Sequence, residues 1–305
     1  MDQKLFSKIR KIQIKTSKMV TEIFAGEYRS VFKGRGMEFE EVREYQAGDE
    51  VRSIDWNVTA KMNRPFVKQF REERELTVMF VVDVSRSMRF GTCVQQKREL
   101  VAELCAVLAF AAIKNNDKVG LILFSDQIEK LIPPAKGKQH VLLVIRELLT
   151  TTNHAGRSIT GSSSMVEGRG TDFALALEYL GKVQRKKTVC FFVSDFHGDF
   201  PERIGKISSK RHDMILLRIV DRLEKESSKN ALVSFSDLET GMERVIDFGN
   251  ENVLRIFREQ AQERQETFAK LCRRIGLEYI TLETGGEYLK PLTRFFKERE
   301  KKLKS

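Results

Sequence analysis

Cysteine is scarce in these 305 residues, and Cys93, Cys105, Cys190 and Cys272 lie too far apart for a zinc site or a redox dithiol. That dispersion excludes a disulfide scaffold and fits reduced thiols, so a cytoplasmic protein is expected. Three of the four sit in apolar or helical runs (LCAVL, VCFFV, AKLCRR), where a thiol packs as a small hydrophobe. With only 5 Pro the chain has no collagen-like or low-complexity bias, and 41% hydrophobic residues with 21 Phe exclude a disordered one. Long apolar runs are missing too. The charge-free stretch from Leu104 to Ile113 is about half of what a bilayer needs, and Met1-Asp2-Gln3-Lys4 leads into a mixed segment, so neither a membrane span nor a signal peptide is expected.

What is present is enough material for one large or two modest domains, and an excess of positive charge. The formal net charge is +11, but its location matters more than its size. Residues 1–36 carry nine Lys/Arg against three acids and residues 294–305 carry six against two, leaving the 257 residues between them close to neutral. A basic groove in the globular body is therefore not expected, and neither is a nucleic-acid partner. In the first segment Lys4, Lys8, Lys11, Lys15 and Lys18 repeat at helical spacing beside an apolar row of Leu5, Ile9, Ile12, Met19 and Ile23. This predicts an amphipathic helix that docks on its own domain, with weak contact to an anionic membrane surface as the alternative.

From Leu76 onward short apolar runs alternate with helical patterns, the order of an α/β sheet with helices on both faces. Strands are expected at Leu76–Val82, Lys118–Phe124, Ile128–Ile132 (stopped by Pro133-Pro134), Thr188–Val193, Met214–Val220 and Leu277–Leu282. Helices are expected at Gln96–Asn115, Gln139–Leu149, Phe173–Val183, Pro201–Arg211 and Glu251–Gly276. Thr150–Gly170, rich in Ser, Thr and Gly, reads as a long loop. Leu232–Phe248, centred on Gly241, reads as a hairpin extending an edge. The first 75 residues differ: charge is dense between Gly34 and Phe70, Trp56 is the lone tryptophan, and extended pieces mix with turns. The expected division is a helix and small strand-bearing layer over 1–75 and a mostly parallel sheet domain over 76–305.

The chemistry concentrates at strand ends. The first buried strand runs into Asp83-Val84-Ser85-Arg86-Ser87, one carboxylate and two hydroxyls in a tight turn where open α/β sheets bind ligands. Thr171 stands just before a helix, and Asp195 follows the TVCFFV strand. All five donors are oxygens, the set that suits Mg²⁺, with Mn²⁺ as the alternative. His197 and Asp199, near Asp195, and the isolated His140, His154 and His212 read as polar loop positions. Arg43, Asp49, Arg52 and Asp55 read as paired charges tying a small layer together.

Asp-x-Ser-x-Ser after a first strand, a Thr before a later helix and an Asp after a later strand resemble the metal-ion-dependent adhesion site of von Willebrand factor A domains. The resemblance implies that Ser85, Ser87 and Thr171 bind the metal directly or nearly so while Asp83 and Asp195 act largely through water. It also implies that fold. Gly34-Arg35-Gly36, Arg43-Glu44-Tyr45, Gly48-Asp49, Arg52-Ser53-Ile54-Asp55-Trp56 and Val67-Lys68-Gln69-Phe70 resemble the block that defines the bacterial domain of unknown function 58. Relatives with that block carry it ahead of an A-type domain and often accompany MoxR-type AAA+ ATPases; many also carry N-terminal membrane helices, which this sequence lacks.

A cation held by hydroxyls stays strongly electrophilic, so an acidic side chain of another protein can complete its octahedron. The expectation is a non-enzymatic, metal-dependent interaction module, an adaptor for a MoxR-type ATPase. The alternatives are a metal-assisted phosphohydrolase with Asp83 as nucleophile, and a basic nucleic-acid or membrane-surface binder. Ser stands where a phosphoaspartate site would have a second carboxylate, and there is no Gly-x-x-x-x-Gly-Lys loop.

Overall fold

The computed structural model describes residues 26, 28, 30–32, 37–72, 75–91, 95–154, 170–225, 232–236, 243–247 and 250–304. The amphipathic helix expected over 1–23, Gly34–Gly36, Cys93 and most of the Thr150–Gly170 loop lie outside these residues.

The small layer is an antiparallel pair, β1 (Met37–Glu44) with β2 (Phe66–Glu72), and a short helix α1 (Trp56–Met62) between them. Asp55 caps α1 by accepting the N–H of Asn57 and of Val58, and its carboxylate also lies 3.4 Å from Lys68 Nζ. Arg43 grips Asp49 with two parallel bonds of 2.8 and 2.7 Å, a planar match that fixes the turn after β1. Arg52, by contrast, is exposed.

Thr77–Asp83 (β3) begins the main sheet. Its residues are apolar without alternation because both faces are covered: Val78, Phe80 and Val82 join one core cluster, Met79 and Val81 the other. With β4 (Lys118–Phe124), β5 (Ile128–Ala135), β6 (Val189–Ser194), β7 (Asp213–Val220) and β10 (Glu278–Glu283) it forms a six-stranded sheet of order β10-β7-β6-β3-β4-β5. Every neighbouring pair is parallel except β4–β5. Numbered along this sheet from β3, the strands run 3-2-1-4-5-6. One face is covered by α2 (Lys97–Lys114), α3 (Lys138–His154) and α8 (Leu289–Lys304), the other by α4 (Phe173–Val183), α5 (Glu202–Arg211) and α7 (Glu251–Ile275). This is the α/β class that the alternating pattern predicts. The central helix α2 is buried around most of its circumference, and α7 stops at Gly276, which takes the left-handed conformation (φ 71°) that favours glycine.

Four expectations need correction. β5 does not stop at the prolines but runs through Pro133 and Pro134 to Ala135, which is permitted because it is an edge strand and the two prolines form a bulge facing Gly120 of β4. Helix α3 continues to His154, and within this extension Thr150 is accommodated by donating its hydroxyl back to the Arg146 carbonyl at 3.0 Å. β8 (Leu232–Ser236) and β9 (Glu243–Asp247) do form a hairpin, but it is a separate two-stranded sheet, since β10 takes the place beside β7. None of the three isolated histidines is on a polar loop: His140 and His154 lie in α3, and His212 is buried at the end of α5, where among the described residues neither ring nitrogen has a hydrogen-bond partner. Burial, helped by Arg211, pushes its pKa down to about 4.

One feature of the core was not foreseen. Tyr28, Val31 and Phe32, from the basic first segment, are buried in the main sheet's core. The Tyr28 hydroxyl donates to Asp117 Oδ2 (3.2 Å), and the Phe32 ring meets Phe191 of β6 and Phe296 of α8 edge-on, with centroids 5.9 and 5.6 Å apart.

Candidate functional site

At its carboxyl edge the sheet changes direction between β3 and β6: the chain leaves β3 for β4 on one side and leaves β6 for β7 on the other. The crevice at such a reversal is where open α/β sheets place their ligands. Asp83 ends β3 there and is only 2% exposed. The Ser85 N–H donates to its Oδ1 (2.8 Å) and the Ser194 hydroxyl, from the end of β6, donates to its Oδ2 (2.7 Å). Burial and then the nearby Asp195 charge raise its pKa to about 6, despite these bonds.

Ser85 and Ser87 follow on a short 3₁₀ turn, Arg86–Arg89, with their hydroxyl oxygens 3.0 Å apart. Neighbouring ligands of an octahedral Mg²⁺, each at 2.0–2.1 Å, stand about 3 Å apart, so this pair has the separation of one octahedral edge. Asp195 begins the loop after β6. Its Oδ1 accepts the His197 N–H (3.2 Å) and its Oδ2 lies 3.0 Å from Lys97 Nζ; both side chains of that ion pair are 1% exposed. Lys97 also reaches Glu224 at 2.5 Å, and His197 Nε2 stands 3.7 Å from the same carboxylate oxygen. Burial alone would lower the lysine, but Asp195 and Glu224 hold its pKa above the ordinary value. Burial likewise opposes the charge on Glu224, yet His197 and Lys97 draw its pKa down to about 2.

Glu224 belongs to α6 (Arg222–Lys225), a single turn after β7, and is itself held: the Asp221 N–H donates to its Oε2 (3.1 Å), while Asp221 accepts the Thr284 hydroxyl (2.6 Å) from beyond β10. Thus the ends of β3, β6, β7 and β10 are laced together behind the crevice.

Thr171 arrives by a different route. The Asp172 N–H donates to the carbonyl of Ser125, directly after β4, and Asp172 caps α4. Phe173 then stacks on Phe196, centroids 5.8 Å apart. Phe196 holds a left-handed backbone (φ 55°), unfavourable for an aromatic residue. Phe192, Phe200 and Phe268 surround its ring, so packing fixes the strained turn beside Asp195. Asp83, Ser85, Ser87 and Asp195 are therefore drawn together directly. Thr171 is anchored to the β4 end and to the Asp195 loop through its chain neighbours, and its half-buried hydroxyl makes no hydrogen bond with the other four among the described residues.

Among the described residues no group of three or more His, Cys, Asp or Glu side chains is placed to hold a metal ion. The constellation here is of another kind, two carboxylates with hydroxyls, and its donors fit a hard cation: the serine pair has the spacing of adjacent ligands, and the nearby Asp195 charge makes the ionised form of Asp83 more costly, a cost that a cation would offset. Lys97, Ser194 and Glu224 were not foreseen as parts of the site. Lys97 carried a signal, because it lies on the row Lys97, Val101, Leu104 and Leu108, the only charge on an otherwise apolar helical stripe.

A mostly parallel α/β sheet with an oxygen-donor crevice at its point of reversal, preceded by a small two-stranded layer, defines the class. The chain belongs to the family described as "Protein of unknown function DUF58", whose model matches residues 41–267. It is similar to the uncharacterized protein Rv1480 of Mycobacterium tuberculosis, 27% identical over 302 residues that cover 98% of this chain and 91% of that one. It is also similar to the uncharacterized protein YeaD of Bacillus subtilis, 26% identical over 107 residues, 35% of this chain and 25% of that protein. Among solved structures, the VWA domain of SpRpn10 matches with 11% sequence identity over 71% of this chain and 93% of that one, at a TM-score of 0.35. Among the described residues no helix is long and apolar enough to cross a membrane.

Proposed function

We propose that this protein is a non-enzymatic, metal-dependent interaction module of the cytoplasm that captures an acidic side chain of a partner protein. Ser85, Ser87 and Thr171 would hold Mg²⁺, with Asp83 and Asp195 behind water; bound there, the cation supplies an electrophilic position for a carboxylate. The observation that carries the reading is the 3.0 Å separation of the Ser85 and Ser87 hydroxyl oxygens, next to Asp83 in the crevice. Asp83 is oriented by Ser85 and Ser194, one bond to each oxygen, which suits a fixed acceptor of water hydrogen bonds better than a nucleophile that must present a free oxygen to phosphorus. Lys97 and Glu224 fix Asp195 in turn.

A MoxR-type AAA+ ATPase is the proposed partner. Its support is the resemblance of the N-terminal block, of which Arg43, Asp49 and Asp55 are seen here holding their layer together. The test is capture of a purified MoxR-type ATPase from the same organism by the full chain, in Mg²⁺ and in chelator. Retention in Mg²⁺ with release in chelator is expected; equal retention in both buffers would remove the metal from the mechanism.

A further inference from the structure

Lys97 is joined to both halves of the crevice. Its N–H donates to the Phe90 carbonyl (3.1 Å), and the Phe90 N–H donates in turn to the Ser87 carbonyl (3.1 Å), so its backbone is tied to the serine turn. Its ammonium donates to Asp195 Oδ2 (3.0 Å) and to Glu224 Oε1 (2.5 Å), which ties its side chain to the loop after β6 and to α6. The Phe90 ring stands on another side, its centroid 5.8 Å from Nζ. With 1% of the side chain exposed, the charge is fixed in place and sealed from water.

The sign of that charge matters at this position. Asp83, Asp195 and Glu224 bring three carboxylates to this end of the sheet, and Lys97 is hydrogen-bonded to two of them. Arg218 of β7, opposite Ser194 in register and 8% exposed, lies in the field of the same two. To a divalent cation at the serine pair the crevice thus offers an Asp195 whose charge is already balanced in large part. Buried charges act on one another strongly and are screened little by salt.

We infer that Lys97 sets the cation affinity of the crevice: its fixed positive charge keeps the chain alone a weak binder of divalent cations and leaves a bound cation with charge to share with the partner's carboxylate. This rests on the metal-dependent capture reading above. Lys97 acts through Asp195 and is therefore a positioning residue, not a ligand. A lysine that only held the loops together would have the opposite consequence. Its loss would let the serine turn and the Asp195 loop drift apart and would weaken the site.

The test is calorimetric Mg²⁺ titration of the full chain, with the folded fraction of each variant fixed by near-ultraviolet circular dichroism. Lys97→Met should bind Mg²⁺ at least about tenfold more tightly than the wild type. Lys97→Gln also removes the charge but keeps a donor for Asp195; it should shift in the same direction, and it carries the test if Lys97→Met does not fold. Lys97→Arg keeps the charge and should return the affinity to within about threefold of the wild type. Unchanged or weaker Mg²⁺ binding in the uncharged variants overturns the inference and leaves Lys97 as a structural tie. A second series adds an excess of a Gly-Ser-Glu-Ser-Gly peptide, which should tighten Mg²⁺ binding by the wild type at least about threefold and by Lys97→Gln less. No effect of the peptide, with the order of the variants intact, would overturn carboxylate capture and leave the charge-setting role of Lys97 standing. Absence of Mg²⁺ binding in the wild type and every variant would overturn both.

Discussion

Lys97 and Asp195 meet 3.0 Å apart with 1% of each side chain exposed, joining the start of α2 to the loop after β6 across 98 residues of sequence. Removing one member leaves the other charged and buried. Lys97→Met is expected to cost about 3–5 kcal/mol, read by urea denaturation, and Lys97→Met with Asp195→Asn to cost less than the sum of the two single changes. Additive costs would show that the pair is not coupled.

Ser85→Ala with Ser87→Ala removes one buried and one half-buried hydroxyl while leaving the bonds that the Ser85 N–H and the Ser194 hydroxyl donate to Asp83. Stability should change by less than about 1 kcal/mol while calorimetric Mg²⁺ binding is lost. Equal metal binding by the wild type and this variant would dismiss the serine pair as ligands.

Asp83 gives a pH signature opposite to that of a salt-bridged carboxylate. Its native pKa of about 6 lies above the unfolded value near 3.9, so the folded state holds the proton more tightly; stability from this group is full below about pH 4 and lost as pH rises through 6. In chelator, Asp83→Asn should therefore gain about 2 kcal/mol relative to the wild type between pH 4.5 and 7.5. A difference independent of pH would show that Asp83 is not protonated more readily in the fold.

His212 has the reverse sign. Its pKa falls from 6.5 to about 4 in the fold, so its contribution is intact above pH 6.5 and lost as pH drops toward 4. His212→Leu should flatten that acid limb by about 2–3 kcal/mol in denaturation curves taken at pH 7 and 4. An unchanged limb would place its origin elsewhere.

Phe32 offers a test of the first segment. Its ring fills space between Phe191 and Phe296, so Phe32→Ala should cost about 3–5 kcal/mol even though it lies outside the main sheet domain in sequence. A melt within a degree or two of the wild type would mean that the segment detaches without consequence.

The sheet was legible because its strands are buried on both faces: TVMFVV, VGLILF and VCFFV admit little else, and their order with the intervening helices fixes an α/β class. That Asp83, Ser85, Ser87 and Asp195 gather at one edge of the sheet was legible for the same reason, since each lies at or just after the end of such a strand. What escaped was set by distance along the chain. Nothing local marks Ser194 as the donor to Asp83, 111 residues earlier, or Tyr28 as the partner of Asp117. The prolines of β5 misled because a local rule against proline in strands does not know which strand lies at an edge. Helix α3 outran its expected end because Thr and Asn weaken a helix without ending it.

Pro133 and Pro134 lie on the outermost strand of the main sheet, opposite the irregularity between Val119 and Leu121. Neither can donate a backbone N–H, and the bulge turns the strand out of register with any newcomer. A seventh strand, from a second copy or from an aggregating chain, finds an incomplete template on this side. In assembly terms the sheet is terminated at β5, and strand-by-strand growth into fibrils is obstructed from that direction.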